Sequence, residues 1–207
     1  MKEVNLGILT GISYVTGIDY YKNINKYFML NKKPVYSLNP NPKIVMSSVD
    51  CDKYVKLLED KQYDKVSQHL MEGIEKLVNA GCSHLAIASN TGHIAFNSVK
   101  KSYPDLSVIH IADCLATELK KKSYFNVGLI GTKPTMEENY LIDRLKKHGI
   151  NTVVPSNAKD RAKIYDIICN ELSYNNFNDD SRQYIIRIIR NLMGNKFRSC
   201  ISGCTEI

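Results

Sequence analysis

Two small side chains that can carry protons stand at the ends of short strand-like segments. Ser89 follows the apolar run 85–88 and is succeeded by Asn90 and Thr91, and Cys204 ends a second such segment. A serine in this place can be a nucleophile, a proton carrier or a helix N-cap, since serine is among the preferred capping residues. A cysteine thiol is a capable base because its pKa, about 8.5 when unperturbed, falls near cations and helix N-termini.

Short apolar segments alternate with helical patterns, and together they predict the elements that carry these residues. The strand candidates are residues 4–9, 44–49, 84–88, 107–111, 125–130, 151–154 and 199–203. Helical periodicity covers residues 64–80, 135–148, 159–173 and 181–193, the second of these opening with a Thr135–Glu138 capping box. This alternation is typical of an α/β fold with parallel sheets covered by helices on both faces.

The sequence also repeats itself in outline. VNLGILTG (4–11) resembles FNVGLIGT (125–132), an offset of 121 residues from 4 to 125. HLAIASNT (84–91) resembles SCISGCTE (199–206), an offset of 115 residues from 89 to 204. Two similar offsets predict two pseudo-symmetric α/β lobes. Ligands of open parallel sheets bind beyond the carboxyl ends of the strands, so facing lobes would bring both proton carriers to one cleft, the expected active site.

The bulk composition excludes several classes of protein. No apolar run among the 207 residues approaches the roughly 18 that a bilayer span needs. The opening MKEVNLGILTG lacks the pattern of a secretory signal, and the six cysteines contain no CxxC pair. We therefore expect a cytoplasmic protein with reduced thiols and no membrane partner. The net charge of +7 comes from scattered lysines, which favours a solvated surface over a nucleic-acid site.

The sequence offers little to a metal or an organic cofactor. Cys82, His84 and His93 are the nearest approach to a ligand set, and they have no fourth partner. We expect His93 to be a hydrogen-bonded structural residue. The glycine-containing corners at 7–17 and 128–131 do not form GxGxxG, which disfavours a dinucleotide site. We expect neither a metal nor a cofactor.

Five segments, in order along nearly the whole chain, resemble motifs of the aspartate/glutamate racemase family, the cofactor-independent amino-acid racemases. GILTGISYVTGIDYYKNIN (7–25) is similar to the family's opening segment, and SNTGH (89–93) to its first catalytic motif. VGLIGTKPTMEENY (127–140) resembles a turn of the second lobe, and GCTEI (203–207) resembles the second catalytic motif. DRAKIYDIICNEL (160–172) resembles a helix whose lysine contacts the substrate's distal carboxylate.

The resemblance implies a role for each candidate residue in racemising aspartate or glutamate. Cys204 takes the α-proton of the L-isomer and Ser89 delivers a proton to the opposite face, because inversion needs one acid/base group on each side. Backbone N–H groups at both corners stabilise the charge that develops on the substrate's carboxylate. The implied substrate-binding residues are Asn90, Thr91, Thr132, Thr135, Lys163 and Thr205.

Two features depart from the family's usual pattern. Ser89 stands where most members carry cysteine, although a subgroup that prefers L-aspartate and L-glutamate has threonine there. A serine hydroxyl ionises far less readily than a thiol, so we expect a proton donor that is a poor base. The chain also ends at Ile207, where the family usually adds a strand and a helix that help complete the first lobe. We expect a truncated chain whose activity these two features impair.

The resemblance further predicts the organisation of the chain and leaves alternatives open. We assign residues 1–113 to the first lobe, 114–202 to the second, and 203–207 to a return to the first lobe. A homodimer is the implied assembly. One alternative is an inactive homologue that binds an amino acid without exchanging its α-proton. The other is a decarboxylase that uses Cys204 alone, as in the related arylmalonate decarboxylases.

Overall fold

Strands and helices alternate along the chain in a computed structural model that describes residues 5–34, 40–174, 176–194, 199–204 and 207. The strands are β1 (Leu6–Thr10), β2 (Ile44–Ser48), β3 (His84–Ile87), β4 (Ser107–Ile109), β5 (Asn126–Ile130), β6 (Asn151–Val153) and β7 (Cys200–Ser202). The α-helices are α1 (Tyr14–Asn31), α2 (Cys51–Glu59), α3 (Tyr63–Asn79), α4 (Phe96–Ser102), α5 (Ile111–Lys121), α6 (Lys133–Glu137), α7 (Asn139–Lys147), α8 (Ala158–Asn170) and α9 (Asp179–Met193). Helices of the 3-10 type cover Thr91–Ala95 and Leu172–Tyr174.

The first compact unit, Met1–His110, holds a parallel sheet in the order β2-β1-β3-β4. Strand β1 is central, with Leu9 beside Ser47 on one side and Ile87 on the other. The apolar stripe of α3 covers one face of this sheet, and Leu70 and Ile74 are completely buried there. Burial of each such side chain contributes about 1.5–3 kcal/mol, so this stripe anchors the unit.

The second compact unit, Ile111–Ile207, holds a parallel sheet in the order β6-β5-β7. Alternate residues of β5 serve separate cores, since successive side chains of a strand point to opposite faces. Leu129 packs in a cluster with the buried side chains of α5 and α7. Ile130 packs in a cluster with those of α6, α8 and α9. Helices therefore cover both faces of this sheet.

The α/β architecture with parallel sheets flanked by helices is confirmed. The helix predicted over 64–80 is observed as α3. The helix predicted over 181–193 is observed as α9, which begins two residues earlier with Asp179 and Asp180. The single helix expected over 135–148 is wrong. Glu138 is extended (φ −96°, ψ 152°) and separates α6 from α7, and its side chain makes no capping bond there. The cap of α6 comes instead from Thr132.

The observed boundary between the units differs from the expected one. It falls between His110 and Ile111, and the described residues of 203–207 belong to the second unit rather than returning to the first. The backbone explains this placement, because the Gly203 N–H donates to the Ile130 carbonyl at 2.6 Å and thereby extends the pairing of β7 with β5. Cys204 and Ile207 then pack against the second unit's core. Among the described helices, none is both long and apolar enough to cross a membrane.

Candidate active site

The Ser89 side chain closes the corner that follows β3. The Ala88 N–H still donates to the Leu9 carbonyl at 2.9 Å, so the chain leaves the sheet only at residue 89. The Ser89 Oγ then accepts a hydrogen bond from the Gly92 N–H at 3.2 Å. Because Oγ is the acceptor, the hydroxyl can still donate its own hydrogen elsewhere. Ser89 therefore caps the turn and retains the capacity of a proton donor.

The backbone of this corner is held by a buried imidazole. His93 Nδ1 lies 2.8 Å from the Ser89 carbonyl oxygen and 3.2 Å from the Asn90 carbonyl oxygen. Carbonyl oxygens only accept, so Nδ1 carries the hydrogen. The centroids of the His93 and His110 rings lie 4.4 Å apart, and those of the His110 and Phe96 rings lie 4.9 Å apart in an edge-on arrangement. Thr91, the expected substrate contact, is buried beside them.

The Thr10 side chain lies at the same sheet edge, and the sequence analysis did not single it out. Thr10 ends β1, is 7% exposed, and its Oγ1 donates to the Ser13 carbonyl at 3.5 Å. The pairing of Leu9 with Ile87 puts Thr10 next to the strand end that leads to Ser89. Gly17 of α1 closes over it, because a Cβ there would overlap the Thr10 hydroxyl. Its position near the end of the repeated segment 4–11 could have identified it.

The corner after β5 carries linked hydroxyl groups. Thr132 Oγ1 accepts from the Thr135 N–H at 3.4 Å and caps α6. The Thr132 and Thr135 hydroxyl oxygens lie 2.9 Å apart, and the Tyr140 hydroxyl lies 3.1 Å from Thr135 Oγ1. Thr135 is completely buried. Tyr140 was not expected at this site, although it lies within the segment 127–140 that pointed to it.

Thr135 also packs against the residues that lead to Cys204. A Cβ at Gly203 would lie 2.8 Å from both the Ile130 carbonyl oxygen and Thr135 Cγ2, and a Cβ at Gly131 would lie 3.1 Å from that same methyl group. The absence of side chains at the two glycines therefore permits β5, β7 and Thr135 to meet. Cys204, which follows directly, is half-buried. Thr132 and Thr135 are thus brought together in the second unit, and Cys204 directly follows the glycine that packs on Thr135. Thr205 lies outside the described residues.

The expected lysine lies on the exposed side of α8. Lys163 Nζ donates to Asp166 Oδ2 at 2.9 Å, and this hydrogen bond raises the pKa of Lys163 and lowers the pKa of Asp166. An exposed pair of this kind is weak and exchanges readily with other partners.

Arg161, two residues earlier in the same segment, is the cation that reaches α6. Its Nε donates to Glu137 Oε1 at 2.9 Å, and its Nη1 donates to the carbonyl oxygens of Pro155 and Ser156 at 2.8 and 3.1 Å. With an exposed fraction of 19%, the Arg161 side chain is better enclosed than that of Lys163 at 48%. The sequence interpretation missed this residue because both cations share one helix and only helix packing distinguishes their faces.

Two further thiols, Cys200 in β7 and Cys82 in the first unit, have raised pKa values. Burial raises the pKa of Cys200 to about 11, which keeps that thiol protonated at neutral pH. Burial also raises the pKa of Cys82 in the first unit. Within the described ranges, no three His, Cys, Asp or Glu side chains converge as a metal site requires.

The fold and these corners define a class: an α/β protein of two units whose parallel strands end in small hydroxyl- or thiol-bearing residues. Comparison with known families makes the class specific. The sequence model of the Asp/Glu/hydantoin racemase family matches residues 9–207, and the chain belongs to this family. The resemblance stated from the motifs is therefore confirmed.

Solved structures agree with this assignment. A proposed Asp/Glu racemase from Yersinia pestis is 29% identical, with a TM-score of 0.85 over 98% of this chain and 86% of that one. An aspartate racemase homologue from Pyrococcus horikoshii is 26% identical, with a TM-score of 0.76 over 100% of this chain and 86% of that one. The aspartate racemase of Picrophilus torridus, 20% identical, shares the fold with a TM-score of 0.71 over 99% of this chain and 82% of that one.

Proposed function

We propose that the protein is a racemase of an acidic amino acid, aspartate or glutamate, that works without pyridoxal phosphate. Membership of the Asp/Glu/hydantoin racemase family supports this function, as does the likeness to the Yersinia and Pyrococcus proteins. One structural observation carries it. Ser89 follows β3 and Cys204 follows β7, and each of these strands is a parallel neighbour of its unit's central strand. Equivalent strand ends thus present two groups that can exchange a proton.

The proposed chemistry divides the inversion between these two residues. The Cys204 thiolate takes the α-proton of the L-isomer, which breaks the Cα–H bond and leaves the electron pair delocalised into the substrate's carboxylate. The Ser89 hydroxyl then gives its proton to the opposite face of Cα and regains one through water. Cys204 releases its proton to solvent before the next turnover. Because serine is a poor base, the reverse direction saturates at a lower rate.

The substrate's carboxylates need donors, and the corners supply candidates. We assign the α-carboxylate to Asn90, Thr91, Thr132, Thr135 and Thr205 together with the backbone N–H groups of both corners. We assign the distal carboxylate to Lys163, because a substrate carboxylate can replace Asp166 as the partner of this exposed lysine.

A Lys163→Gln variant should therefore raise KM for aspartate more than it lowers kcat. Chiral product analysis at varied substrate concentration measures both.

Incubation with L-aspartate and with L-glutamate, followed by chiral chromatography, tests the function. We expect the D-isomer to accumulate towards an equal mixture in the presence of hydroxylamine, which would inactivate a pyridoxal enzyme. Cys204→Ala should abolish the conversion. Cys114→Ala removes an exposed thiol of the same unit and should leave the conversion intact. Conversion that survives Cys204→Ala would refute the proposed role of this thiol.

A second candidate is a homologue that binds an acidic amino acid without turning it over. The observation that favours it is the Ser89 hydroxyl, which replaces a thiol and already accepts a bond from Gly92. In that case L-glutamate or L-aspartate raises the melting temperature while no α-proton exchanges. A decarboxylase that uses Cys204 alone would instead release carbon dioxide from a malonate.

The homodimer implied by the family resemblance stays a proposal, and light scattering of the purified protein tests it.

A further inference from the structure

We propose that His93 is the positioning residue of the Ser89 corner, holding the serine hydroxyl where it can give its proton to the substrate. This role rests on the proposed racemase function. The described contacts of His93 to the corner run through backbone carbonyls, so the imidazole acts on Ser89 through the main chain.

The hydrogen bonds fix both the backbone and the side chain of Ser89. His93 Nδ1 donates to the Ser89 carbonyl at 2.8 Å, which sets the orientation of the peptide plane that follows Cα. The Gly92 N–H donates to Ser89 Oγ at 3.2 Å, which sets the side-chain rotamer. Both donors belong to the 3-10 helix Thr91–Ala95, so one short element determines where the hydroxyl lies.

The surroundings of the imidazole keep it in place. His93 is 2% exposed and His110 is 3% exposed, and their rings meet at a centroid distance of 4.4 Å. Phe96 in turn packs on His110 in an edge-on contact. Close packing of this kind leaves the His93 ring few alternative rotamers. The ring is therefore a rigid support from which Nδ1 reaches the corner.

Gly92 shows how tightly the turn is packed against Ser89. A Cβ at Gly92 would lie 2.8 Å from Ile87 Cγ2 and 3.4 Å from Ser89 Cβ. The turn thus lies directly against the end of β3. If the imidazole is lost, the Ser89 carbonyl loses this donor, and of the two described bonds that tie the 3-10 turn to Ser89 only the one from the Gly92 N–H remains. The hydroxyl then spends less time in the orientation that donates to the substrate.

Three substitutions at His93 separate positioning from simple stability. Asparagine places an amide donor where Nδ1 lies, glutamine places it where Nε2 lies, and leucine removes the donor. Ile74→Val serves as the control, because it removes about one methyl group from the buried core of the first unit and none of the corner's hydrogen bonds.

The kinetic readout is the fate of deuterium incorporated from D₂O into L-aspartate. Carbanions protonated by Ser89 become the D-isomer. Those reprotonated by Cys204 return as L-isomer, which is deuterated when the thiol has first exchanged the substrate's proton for a deuteron of the solvent. We expect His93→Leu and His93→Gln to lower the ratio of inversion to retention roughly two- to tenfold, the range given by one ordinary hydrogen bond. His93→Asn should restore most of the ratio. Ile74→Val, as a purely structural change, should leave it unaltered.

A readout independent of turnover is the hydrogen exchange of the Gly92 amide, followed by NMR. We expect this amide to exchange roughly two- to tenfold faster in His93→Gln than in His93→Asn, relative to other amides of the first unit. The comparison stands even if the leucine variant fails to fold.

The outcomes distinguish this inference from the proposed function. If the wild-type protein incorporates no deuterium, the racemase function fails, and the Gly92 amide alone decides whether His93 holds the corner. An unchanged Gly92 exchange rate in His93→Gln overturns the inference. Equal losses of inversion and retention in every His93 variant overturn it too, because a merely structural residue would lower both in proportion.

Discussion

At the scale of single residues, Ser89 is the feature that most limits the proposed chemistry. Ser89→Cys would place a thiol at the corner where the Gly92 N–H meets the side chain. A thiol ionises near pH 8.5 and can serve as both acid and base, whereas the serine hydroxyl serves mainly as an acid. We expect the maximal rate of racemisation to rise up to roughly 100-fold, the lower part of what a positioned acid or base contributes. Chiral chromatography with D-aspartate as substrate measures it.

The control for this change is Ser89→Ala, which keeps a small side chain and removes the proton. It should stop inversion while the protein stays folded. A folded Ser89→Cys variant that racemises no faster than the wild-type protein would contradict the view that serine limits the reaction.

Gly203 is a second position where a single atom decides the geometry. A Cβ there would meet the Ile130 carbonyl oxygen and Thr135 Cγ2, each at 2.8 Å. We expect Gly203→Ala to lower the free energy of unfolding by about 1–3 kcal/mol through overpacking, and to lower activity by displacing Cys204. Denaturant unfolding and a racemase assay measure the two effects. Ser202→Ala changes an exposed neighbour in β7 and should be neutral in both.

At the scale of elements, local sequence predicted much of the secondary structure and missed what tertiary packing imposes. The predicted strands 84–88 and 125–130 are observed as β3 and β5. They could be predicted because a short apolar run that ends in a polar corner is typical of a buried strand. α1 was not predicted from periodicity, and the structure explains why: its fully buried residues are only Thr16 and Gly17, so no large apolar side chain of this helix is completely buried.

The division of 135–148 into two helices has the same origin. The apolar spacing continues through the break at Glu138, and only the extended backbone at that residue reveals it. Likewise, the candidate residues Ser89, Thr132, Thr135 and Cys204 could be named from sequence because they follow apolar strands. Thr10 carries the same signal at the end of β1. The contacts of Tyr140 and Arg161 depend on how neighbouring helices pack, which local sequence does not determine.

The cap of α6 gives a prediction at this scale. Thr132 Oγ1 accepts from the Thr135 N–H and also pairs with the Thr135 hydroxyl. Thr132→Ala should lower the free energy of unfolding by about 1 kcal/mol, and Thr132→Ser, which keeps the oxygen, should restore most of it. Denaturant unfolding followed by circular dichroism tests this pair. A loss in the alanine variant within the roughly 0.5 kcal/mol of ordinary surface changes would show that the cap is not stabilising.

At the scale of the whole molecule, the internal repeat of 4–11 and 125–132 corresponds to two central strands, β1 and β5. Each has a parallel neighbour on both sides. The placement of residues 203, 204 and 207 in the second unit could not be read from that repeat. It depends on the backbone bond from Gly203 to Ile130, which joins residues far apart in sequence.

The stability of the whole chain should fall in alkaline solution, in part because of Cys200. Burial raises the pKa of this thiol well above its ordinary value, to about 11. The folded state therefore keeps a proton that the unfolded state releases, so this contribution is complete below pH 9 and is lost as the pH rises through about 11. Cys200→Ala should flatten the fall in unfolding free energy over that interval.

The matched control for the alkaline effect is Cys114→Ala, which removes an exposed thiol. It should leave the pH dependence as steep as in the wild-type protein. The same slope in Cys200→Ala would show that this thiol ionises alike in the folded and unfolded states.

The most direct test of the two-sided reaction is deuterium labelling of L-aspartate in D₂O by three proteins, with chiral separation of the products. The wild-type protein should yield α-deuterated D-aspartate. Ser89→Ala should still exchange the α-proton for deuterium, but its product should be mainly L-aspartate. Cys204→Ala should exchange no α-proton. D-aspartate formed at the wild-type rate by folded Ser89→Ala, or α-proton exchange that persists in Cys204→Ala, would contradict the division of labour between these two residues.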